Sequence, residues 1–530
     1  MSIGIVQTQY GKIRGVDAPA GKYEGITYFR GVPYAKPPVG ELRWRPPVDH
    51  DGWEGVRDCT AYPPAMSQKR ISGLAFEPYS SDFYYMGNPP VSEDCLYLNI
   101  ATGAQGAGEK RPVYMWFHGG GLADGYSYEI EFDPSELARR GIVVVSVGQR
   151  LNIFGYLALP QLSAEQGGKS GNYGFMDEVK ALDWVYDNIA AFGGDPDNIT
   201  VGGQSGGTMK TGSLAASPRS RGRVRRVINQ SSLCWRRRVS TLSEVETRCR
   251  EYLQYMGFDP DASMEELRAV PAMDLLKEPD AQGPAIPSMM VCDGDFVPEQ
   301  DMRISIDRYA GGCDYLCGGN YGESSMTQGF LIGAKEPEQL SDVLAAAKAN
   351  LGELYDKYDF ETVSGLTPEN ADPRSRWLAS LGIGGFGGVA EFLKFGALRA
   401  EKHPESRTFS YIFSHVTPTR PEEKGGPRDG DRLLAWHSSE LWYTFASLRE
   451  DVPPARPWTE QDYRLADLYC DYWANFIKTG DPNGEGLPAW PESRENGGWM
   501  ELGDEPVAHE GIEGKLGELI LANYERKFNA

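Results

Sequence analysis

The sequence predicts an α/β fold with a central, mostly parallel sheet flanked by helices and a small N-terminal β region. Two observations predict it: short apolar runs alternate with amphipathic helical runs, and glycine-rich loops follow several of the apolar runs. The chain has 530 residues, of which 40% are hydrophobic, which is enough for a large core. Because we find no internal repeat and no long low-complexity linker, we expect one domain spanning 1–530.

The predicted elements follow one another in the order that such a sheet requires. Strands are predicted at 112–117, 142–147, 199–202, 224–228, 315–317 and 408–414. The clearest helix covers 176–192, where Val179, Leu182, Val185 and Ile189 recur at helical spacing. It should stop at Gly193, since glycine commonly ends helices. Shorter helices are predicted at 208–216 and 390–401.

Charge and composition exclude several classes of function. Asp and Glu total 75 against 53 Lys and Arg, so the net charge of −22 repels nucleic acid and anionic lipid. No apolar run is long enough to span a bilayer, so we expect no stable membrane insertion. The first residues lack the pattern of a secretory signal, which favours a cytoplasmic location. The mature form of a secreted protein is the alternative, because it would lack that pattern too. We expect a monomer or a homodimer.

The eight cysteines do not form a C-x-x-C pair, so we expect neither a metal nor a redox cofactor. Cys313 and Cys317 lie in one predicted strand, where four residues span about 13 Å. A disulfide needs α-carbons within about 7 Å, so these two should not pair. Most of the eight are expected to be small buried hydrophobic residues.

The sharpest motif is G-x-S-x-G at 203–207, between a predicted strand and a predicted helix. A serine on such a tight turn is held in a strained conformation with its hydroxyl exposed, which is typical of a nucleophile. The helix that follows directs its positive end at the serine. We therefore predict an α/β-hydrolase fold in which Ser205 is the nucleophile.

A glycine run, His118-Gly119-Gly120-Gly121, ends the predicted strand 112–117. Consecutive glycines let backbone N–H groups face a developing oxyanion. We expect the N–H groups of Gly120, Gly121 and Gly206 to form the oxyanion hole. His118 itself is expected to support the loop and to take no part in proton transfer.

The serine also needs a base and an acid, which in this fold follow it along the chain. Four histidines lie downstream. His403 lies among charged residues and should be at the surface, and His509 lies in a polar segment. Of the other two, His437 is favoured over His415 as the base, because it lies in a loop that runs into an apolar stretch. For the acid, Glu323 follows a strand, as a loop-borne acid should. Asp293 and Asp295 fit a turn better, but the pattern alone leaves the choice open.

Motifs along nearly the whole chain resemble the type-B carboxylesterases, which include cholinesterases and bacterial p-nitrobenzyl esterases. They are GKIRG at 11–15, FRGVPYAKPPVG at 29–40, LRW at 42–44, EDCLYLNI at 93–100, GNYG at 171–174, NIAAFGGDP at 188–196, DYWANF at 471–476 and TGDPN at 479–483. The resemblance implies a triad of Ser205, Glu323 and His437, because Glu323 matches a G-x-x-x-x-E block and His437 an H-x-x-E block that ends at Glu440. It also implies the oxyanion hole of Gly120, Gly121 and Gly206.

Three departures from that family pattern matter. Gly206 stands where the family often has alanine, and Gln204 where many members have glutamate. Secreted members pair the cysteine that matches Cys95 with one in an upstream loop. Met66 stands where that partner would be, so Cys95 is expected to be a free thiol, with Cys59 as a less favoured partner.

The resemblance implies a serine hydrolase that cleaves small to medium or aryl carboxylic esters through an acyl-enzyme. Aromatic side chains within 74–85 suggest bulky ester groups, unless they only pack that segment. Arg236, Arg237 and Arg238 belong to the one basic cluster of the chain. Its other members are Arg219, Arg221, Arg223, Arg225 and Arg226. Ion pairing or a solvated face explains this cluster best, and recognition of a substrate carboxylate by one of Arg236 to Arg238 is the sharper hypothesis. A lipase, a non-catalytic binding protein and amide hydrolysis are the alternatives.

Two further motifs do not indicate other chemistry. G-x-G-x-x-G at 382–387 follows a helical pattern where a dinucleotide site needs a strand, so we expect a loop before the helix 390–401. The S-x-x-K pattern of penicillin-binding enzymes fails because Thr208 occupies its lysine position.

Overall fold

The computed structural model describes residues 2–69, 89–278, 282–323, 325, 339–369, 385–426, 429–450 and 456–528. The chain forms two compact units. The described residues up to 229, together with 234–278 and 282–313, belong to the first unit. Residues 230–233 and the described residues from 314 onward belong to the second.

The strands of the first unit form a mixed sheet and two small ones. They are β1 (Ile5–Thr8), β2 (Gly11–Arg14), β3 (Val16–Asp17), β4 (Thr27–Pro33), β5 (Val56–Asp58), β6 (Ala65–Met66), β7 (Val91–Ser92), β8 (Tyr97–Thr102), β9 (Arg111–Phe117), β10 (Val143–Val147), β11 (Gly194–Gln204) and β12 (Val224–Gln230). The large sheet has the order β12-β11-β9-β10-β8-β4-β3, with β9 parallel to β10 and to β11. Strands β1, β2 and β5 form the predicted N-terminal β region.

Eight helices are described in the first unit. They are α1 (Ser135–Arg139), α2 (Asn152–Tyr156), α3 (Pro160–Glu165), α4 (Tyr173–Asn188), α5 (Gly206–Ala215), α6 (Leu242–Tyr255), α7 (Met264–Ala269) and α8 (Met302–Tyr309). Helix α4 buries Val179, Leu182 and Val185, as the helical spacing predicts. A 3₁₀ turn follows it, and Gly193 ends the turn with φ of 80°.

The second unit has four strands and eight described helices. The strands are β13 (Asp314–Asn320), β14 (Thr408–Phe413), β15 (Gly498–Leu502) and β16 (Pro506–Glu510), in the order β16-β15-β14-β13. The first three are parallel and β16 is antiparallel. The helices are α9 (Leu340–Leu351), α10 (Glu353–Lys357), α11 (Phe360–Ser364), α12 (Gly385–Lys402), α13 (Gly430–Leu433), α14 (Leu441–Thr444), α15 (Glu460–Thr479) and α16 (Gly514–Phe528).

The prediction of a mostly parallel sheet is confirmed, and so is every predicted strand. Several strands are longer than the apolar runs that predicted them. The loop expected at 382–387 is wrong in part, because α12 already begins at Gly385; residues 382–384 lie outside the described ones. Glycine is a poor helix former, so the helix there depends on its tertiary surroundings and not on local propensity. None of the described helices has the length and hydropathy needed to cross a membrane.

The predictions that most cysteines are buried, that Cys313 and Cys317 do not pair and that Cys95 is a free thiol are confirmed. All eight cysteines are free thiols, and all but Cys292 are buried. The Sγ of Cys95 lies 3.3 Å from the Sδ of Met66, the residue predicted to replace a disulfide partner. Burial raises the pKa of the Cys95 thiol well above its usual range, so this thiol stays protonated and unreactive.

Candidate active site

Ser205 stands at the turn between β11 and α5, with φ of 53° and ψ of −119°. A non-glycine residue adopts such a conformation only when its surroundings impose it. The hydroxyl and the N–H of Thr208 both bind the Ser205 carbonyl, at 2.7 and 3.0 Å, which fixes the turn. The N-terminus of α5 therefore lies at the serine, where its partial positive charge favours an anion.

The turn is tight because backbone packs against backbone on both sides of Ser205. A Cβ on Gly207 would lie 2.1 Å from the Phe117 carbonyl, and one on Gly206 would lie 2.0 Å from the Gly121 carbonyl. Only glycine fits at these two positions. The alanine common in the resembling family after the nucleophile would therefore require the backbone of this chain to move.

The loop that follows β9 carries the predicted oxyanion donors. Gly120 and Gly121 have φ of 80° and 64°, in the left-handed region that glycine tolerates. A Cβ on Gly119 would lie 3.5 Å from the Ser205 Cβ, so this loop adjoins the serine. The structure thus brings Gly121 beside Gly206 within the first unit.

His118 is buried under the same loop. Its Nδ1 lies 3.0 Å from the Gly119 carbonyl and its Nε2 lies 3.3 Å from the Gln149 amide. A buried imidazole held by its own loop fits the supporting role that the sequence indicates.

Glu323 and His437, both in the second unit, form a hydrogen-bonded pair. The Glu323 carboxylate contacts Nδ1 of His437, and its other oxygen accepts the Asn320 N–H at 2.8 Å. The two residues lie 114 positions apart in the sequence. A carboxylate in this position fixes the ring orientation and stabilises the charged imidazolium.

Asn320, which the sequence reasoning missed, connects the acid and histidine loops. Its side-chain amide donates to the Trp436 carbonyl and to Glu440, each at 2.6 Å. The Gly322 N–H donates to the Ala435 carbonyl at 2.7 Å, which joins the same two loops. The only sequence signal was a polar residue ending an apolar strand, a place where a buried amide must find partners.

The charges around the pair raise the basicity of the His437 imidazole. Burial opposes the charged ring, but the charge and hydrogen bond of Glu323 and the charge of Glu440 outweigh it, so the pKa of His437 is raised. Burial likewise opposes ionisation of Glu323, but His437 lowers its pKa overall. Burial and the Glu323 charge raise the pKa of Glu440 to about 7.

The other candidates are engaged elsewhere. His415 lies 2.9 Å from Asp462 and 2.6 Å from Asp504, so carboxylates bind both of its ring nitrogens. His509 binds Glu501 at 3.2 Å and stacks on Trp499. His403, expected at the surface, is partly buried and lies 3.8 Å from Glu405.

Asp293 and Asp295 shape a turn, as predicted. The Asp293 carboxylate accepts the N–H groups of Asp295 and Val297, at 2.9 and 3.0 Å. Asp295 in turn binds Arg219 through two contacts of 2.6 Å.

Ion pairs among the described residues engage part of the arginine cluster, which agrees with the ion-pair interpretation for those members. Arg223 pairs with Asp183, and Arg238 lies 3.2 Å from Glu244. Arg237 differs, because its guanidinium contacts the sulfur of Met209.

The aromatic segment 74–85 lies outside the described residues. Within the part of the chain that is described, no three His, Cys, Asp or Glu side chains are grouped to hold a metal.

Comparison with known proteins agrees with these features. The model of the carboxylesterase family matches residues 2–516. The chain belongs to the carboxylesterase family. It is 30% identical to mouse liver carboxylesterase 1, over 94% of this chain and 89% of that protein. It is also 30% identical to the para-nitrobenzyl esterase of Bacillus subtilis, over 93% of this chain and 94% of that protein.

Solved carboxylesterase structures show the same fold. A PNB esterase matches with a TM-score of 0.75 and 28% identity, over 98% of this chain and 99% of its own. The carboxylesterase of Geobacillus stearothermophilus also has a TM-score of 0.75 and 28% identity, over 97% of this chain and 99% of its own. The predictions of the family, of the α/β-hydrolase fold and of a carboxylic ester hydrolase are thereby confirmed.

Proposed function

We propose that this carboxylesterase hydrolyses esters through an acyl-enzyme on Ser205, with His437 as general base and Glu323 as its supporting acid. The observation that carries the proposal is the strained Ser205, held between β11 and the N-terminus of α5 beside the Gly119–Gly121 loop. The Glu323–His437 pair supports it, because a serine hydroxyl is a poor nucleophile without a base.

In the first half-reaction His437 takes the proton of Ser205 as the oxygen attacks the ester carbonyl. The tetrahedral oxyanion accepts hydrogen bonds from the N–H groups of Gly120, Gly121 and Gly206. His437 then gives the proton to the departing alcohol. In the second half-reaction water attacks the acyl-enzyme by the same proton transfers, and the acid is released.

The proposed substrates are small to medium or aryl carboxylic esters. The family and the para-nitrobenzyl esterase among its relatives support this class. A lipase activity on longer acyl chains is the second candidate. Rates on aryl, short-chain and long-chain esters, measured with and without an emulsion, will separate them, since a lipase gains activity at the interface.

Substitution of Ser205 tests the proposal. Ser205→Ala should lower kcat on a p-nitrophenyl ester by roughly 10⁴–10⁶-fold, as removal of a triad serine does elsewhere. Ser243→Ala, at an exposed serine of α6, is the matched control and should keep full activity. A phosphonate should label wild type once, at the peptide containing Ser205. Retained activity in Ser205→Ala would exclude this nucleophile, and an inactive wild type would favour a binding protein.

We further propose a reducing, cytoplasmic compartment, supported by eight free thiols in one chain. Fractionation of the producing cell will test it. Assembly as a monomer or a homodimer stays a prediction, which light scattering will check.

A further inference from the structure

Helix α5 carries a fully buried lysine one turn and a half beyond Ser205. Lys210 has no exposed surface, and its ammonium donates a hydrogen bond of 2.9 Å to the His118 carbonyl. His118 immediately precedes Gly119, Gly120 and Gly121, the loop that adjoins the nucleophile. The lysine thus connects the helix of the nucleophile to the first residue of the oxyanion loop.

Gln149 gives this ammonium a second partner. With its amide oxygen facing Lys210, Gln149 accepts a hydrogen bond of 2.7 Å from the ammonium and donates one of 2.8 Å to the Val147 carbonyl. Both partners of Lys210 are therefore neutral oxygens. Among the described residues no carboxylate forms a direct ion pair with it.

The carboxyl group with the largest effect on the Lys210 pKa is that of Glu178 on α4, which is also fully buried. Within the described part of the chain, neither of its carboxyl oxygens forms a hydrogen bond. Burial raises the pKa of Glu178 to about 8, against the lowering effect of Lys210. The adjacent Asp177 binds Arg150 at 2.6 Å and raises the pKa of Glu178 further.

Burial lowers the pKa of Lys210 to about 8, while the charges of Glu178, Glu129 and Asp124 raise it. The hydrogen-bond partners of the Lys210 ammonium are neutral oxygens, so its charge is buried without a directly paired carboxylate among the described residues. In a low-dielectric interior such a charge acts strongly on a nearby anion.

We propose that Lys210 is a positioning residue for ester hydrolysis: its ammonium holds the His118 carbonyl, fixes the Gly119–Gly121 backbone and favours the oxyanion through its buried charge. The inference rests on the proposed function, because it assigns the oxyanion to that loop. A methionine of similar volume would fill the same space without the cost of burying an ammonium. The site therefore retains a charge that packing alone does not require.

Two substitutions test the proposal. Lys210→Met keeps the volume and removes both the hydrogen bonds and the charge. Lys210→Gln removes the charge and keeps a hydrogen-bond donor on a slightly shorter side chain. Lys357→Met, at an exposed lysine of α10, is the matched control. All are compared with wild type on one neutral p-nitrophenyl ester, with circular dichroism and a melting curve to show that each is folded.

We expect Lys210→Met to lower kcat by about 10- to 100-fold with KM within about twofold, a smaller loss than removal of a direct oxyanion donor. Affinity for a trifluoromethyl ketone, which forms a tetrahedral anion with the enzyme, should fall by the same factor as kcat/KM. Lys210→Gln should lower kcat by more than about threefold, but by less than Lys210→Met does. These readouts distinguish positioning of the oxyanion loop from support of the fold.

A folded Lys210→Met or Lys210→Gln with kcat within threefold of wild type would overturn the proposal. So would a loss of kcat with unchanged affinity for the ketone. If Lys210→Met does not fold, Lys210→Gln alone decides by the same criteria. If Ser205→Ala is inactive and the lysine variants are fully active, only the role of Lys210 is contradicted. If Ser205→Ala is active, the proposed function itself is contradicted.

Discussion

His415 and His437 both lie in the second unit, and each imidazole contacts a carboxylate, yet their environments differ. His415 is held between Asp462 and Asp504, one at each ring nitrogen. Those carboxylates raise the pKa of His415 although its burial lowers it. Carboxylates hold both ring nitrogens of His415, so this imidazole stabilises the fold and has no ring nitrogen left for proton exchange with a substrate.

His437 has its carboxylate at Nδ1, and that carboxylate is held in turn by the Asn320 N–H. Glu323 behind the ring orients it, and in the proposed mechanism Nε2 accepts the serine proton. The difference teaches that a histidine–carboxylate contact by itself does not identify a general base. The number of ring nitrogens that carboxylates occupy is the informative feature.

The largest expected effect is on activity. His437→Gln should lower kcat by roughly 10⁴–10⁶-fold, since the base is lost. His415→Gln should keep kcat within about threefold at a temperature where it is folded. Steady-state rates on a p-nitrophenyl ester will check this. Comparable losses in both variants would show that the comparison is mistaken.

Removal of the acid should have the next largest effect. Glu323→Gln should lower kcat by roughly 10³–10⁴-fold, because the imidazolium loses its stabilising charge. The Glu323 charge raises the pKa of His437, so its removal should move the acidic limb of the pH–rate profile to lower pH. Residual rates measured from pH 5 to 9 give the midpoint. A shift to higher pH would contradict the proposed role.

The third prediction concerns stability. His415 has a raised pKa in the folded state, so its contribution is complete below the unfolded value of about 6.5 and is lost as pH rises through the folded value. The pKa of Asp462 is lowered to about 2 despite burial, since His415, Thr459 and Tyr443 bind the carboxylate; its contribution is therefore present above about pH 4.

His415→Gln should accordingly lower the free energy of unfolding by about 3 kcal/mol at pH 5.5 and by less at pH 8.5, because it leaves a buried carboxylate without its cation. Urea unfolding at both pH values will measure this. His509→Gln, at a more exposed histidine, is the control and should have a small effect at either pH. An equal loss for His415→Gln at both pH values would exclude the charged pair as its cause.

The smallest expected effect is on the KM for charged substrates. It depends on whether a given arginine is already paired with a carboxylate. Arg237 contacts Met209, one helical turn beyond Ser205, whereas Arg238 is paired with Glu244. If Arg237 recognises a substrate carboxylate, Arg237→Ala should raise KM for a p-nitrophenyl hemisuccinate about three- to tenfold and leave that for the neutral butyrate unchanged. Arg238→Ala should change neither. Equal KM changes for both esters would remove the carboxylate hypothesis.

The sequence by itself was enough to predict the turn at Ser205, the Gly119–Gly121 loop and the alternation of strands and helices. It was also enough to indicate the carboxylesterase family. These are local or ordered patterns, and the chemistry of a tight turn or a helix end is written in adjacent residues. The same patterns placed the helix start near residue 390, because they could not show that Gly385 and its neighbours are helical in their tertiary surroundings.

Only the tertiary structure showed the contact between Glu323 and His437, which the family resemblance implied. The two residues are 114 positions apart, and the local patterns favoured them over Asp293 and His415 without deciding the choice. Asn320 and Lys210 were missed for a related reason, since both look like ordinary polar residues in the sequence. Their importance comes from burial, which forces each polar group to find a partner that a distant segment supplies.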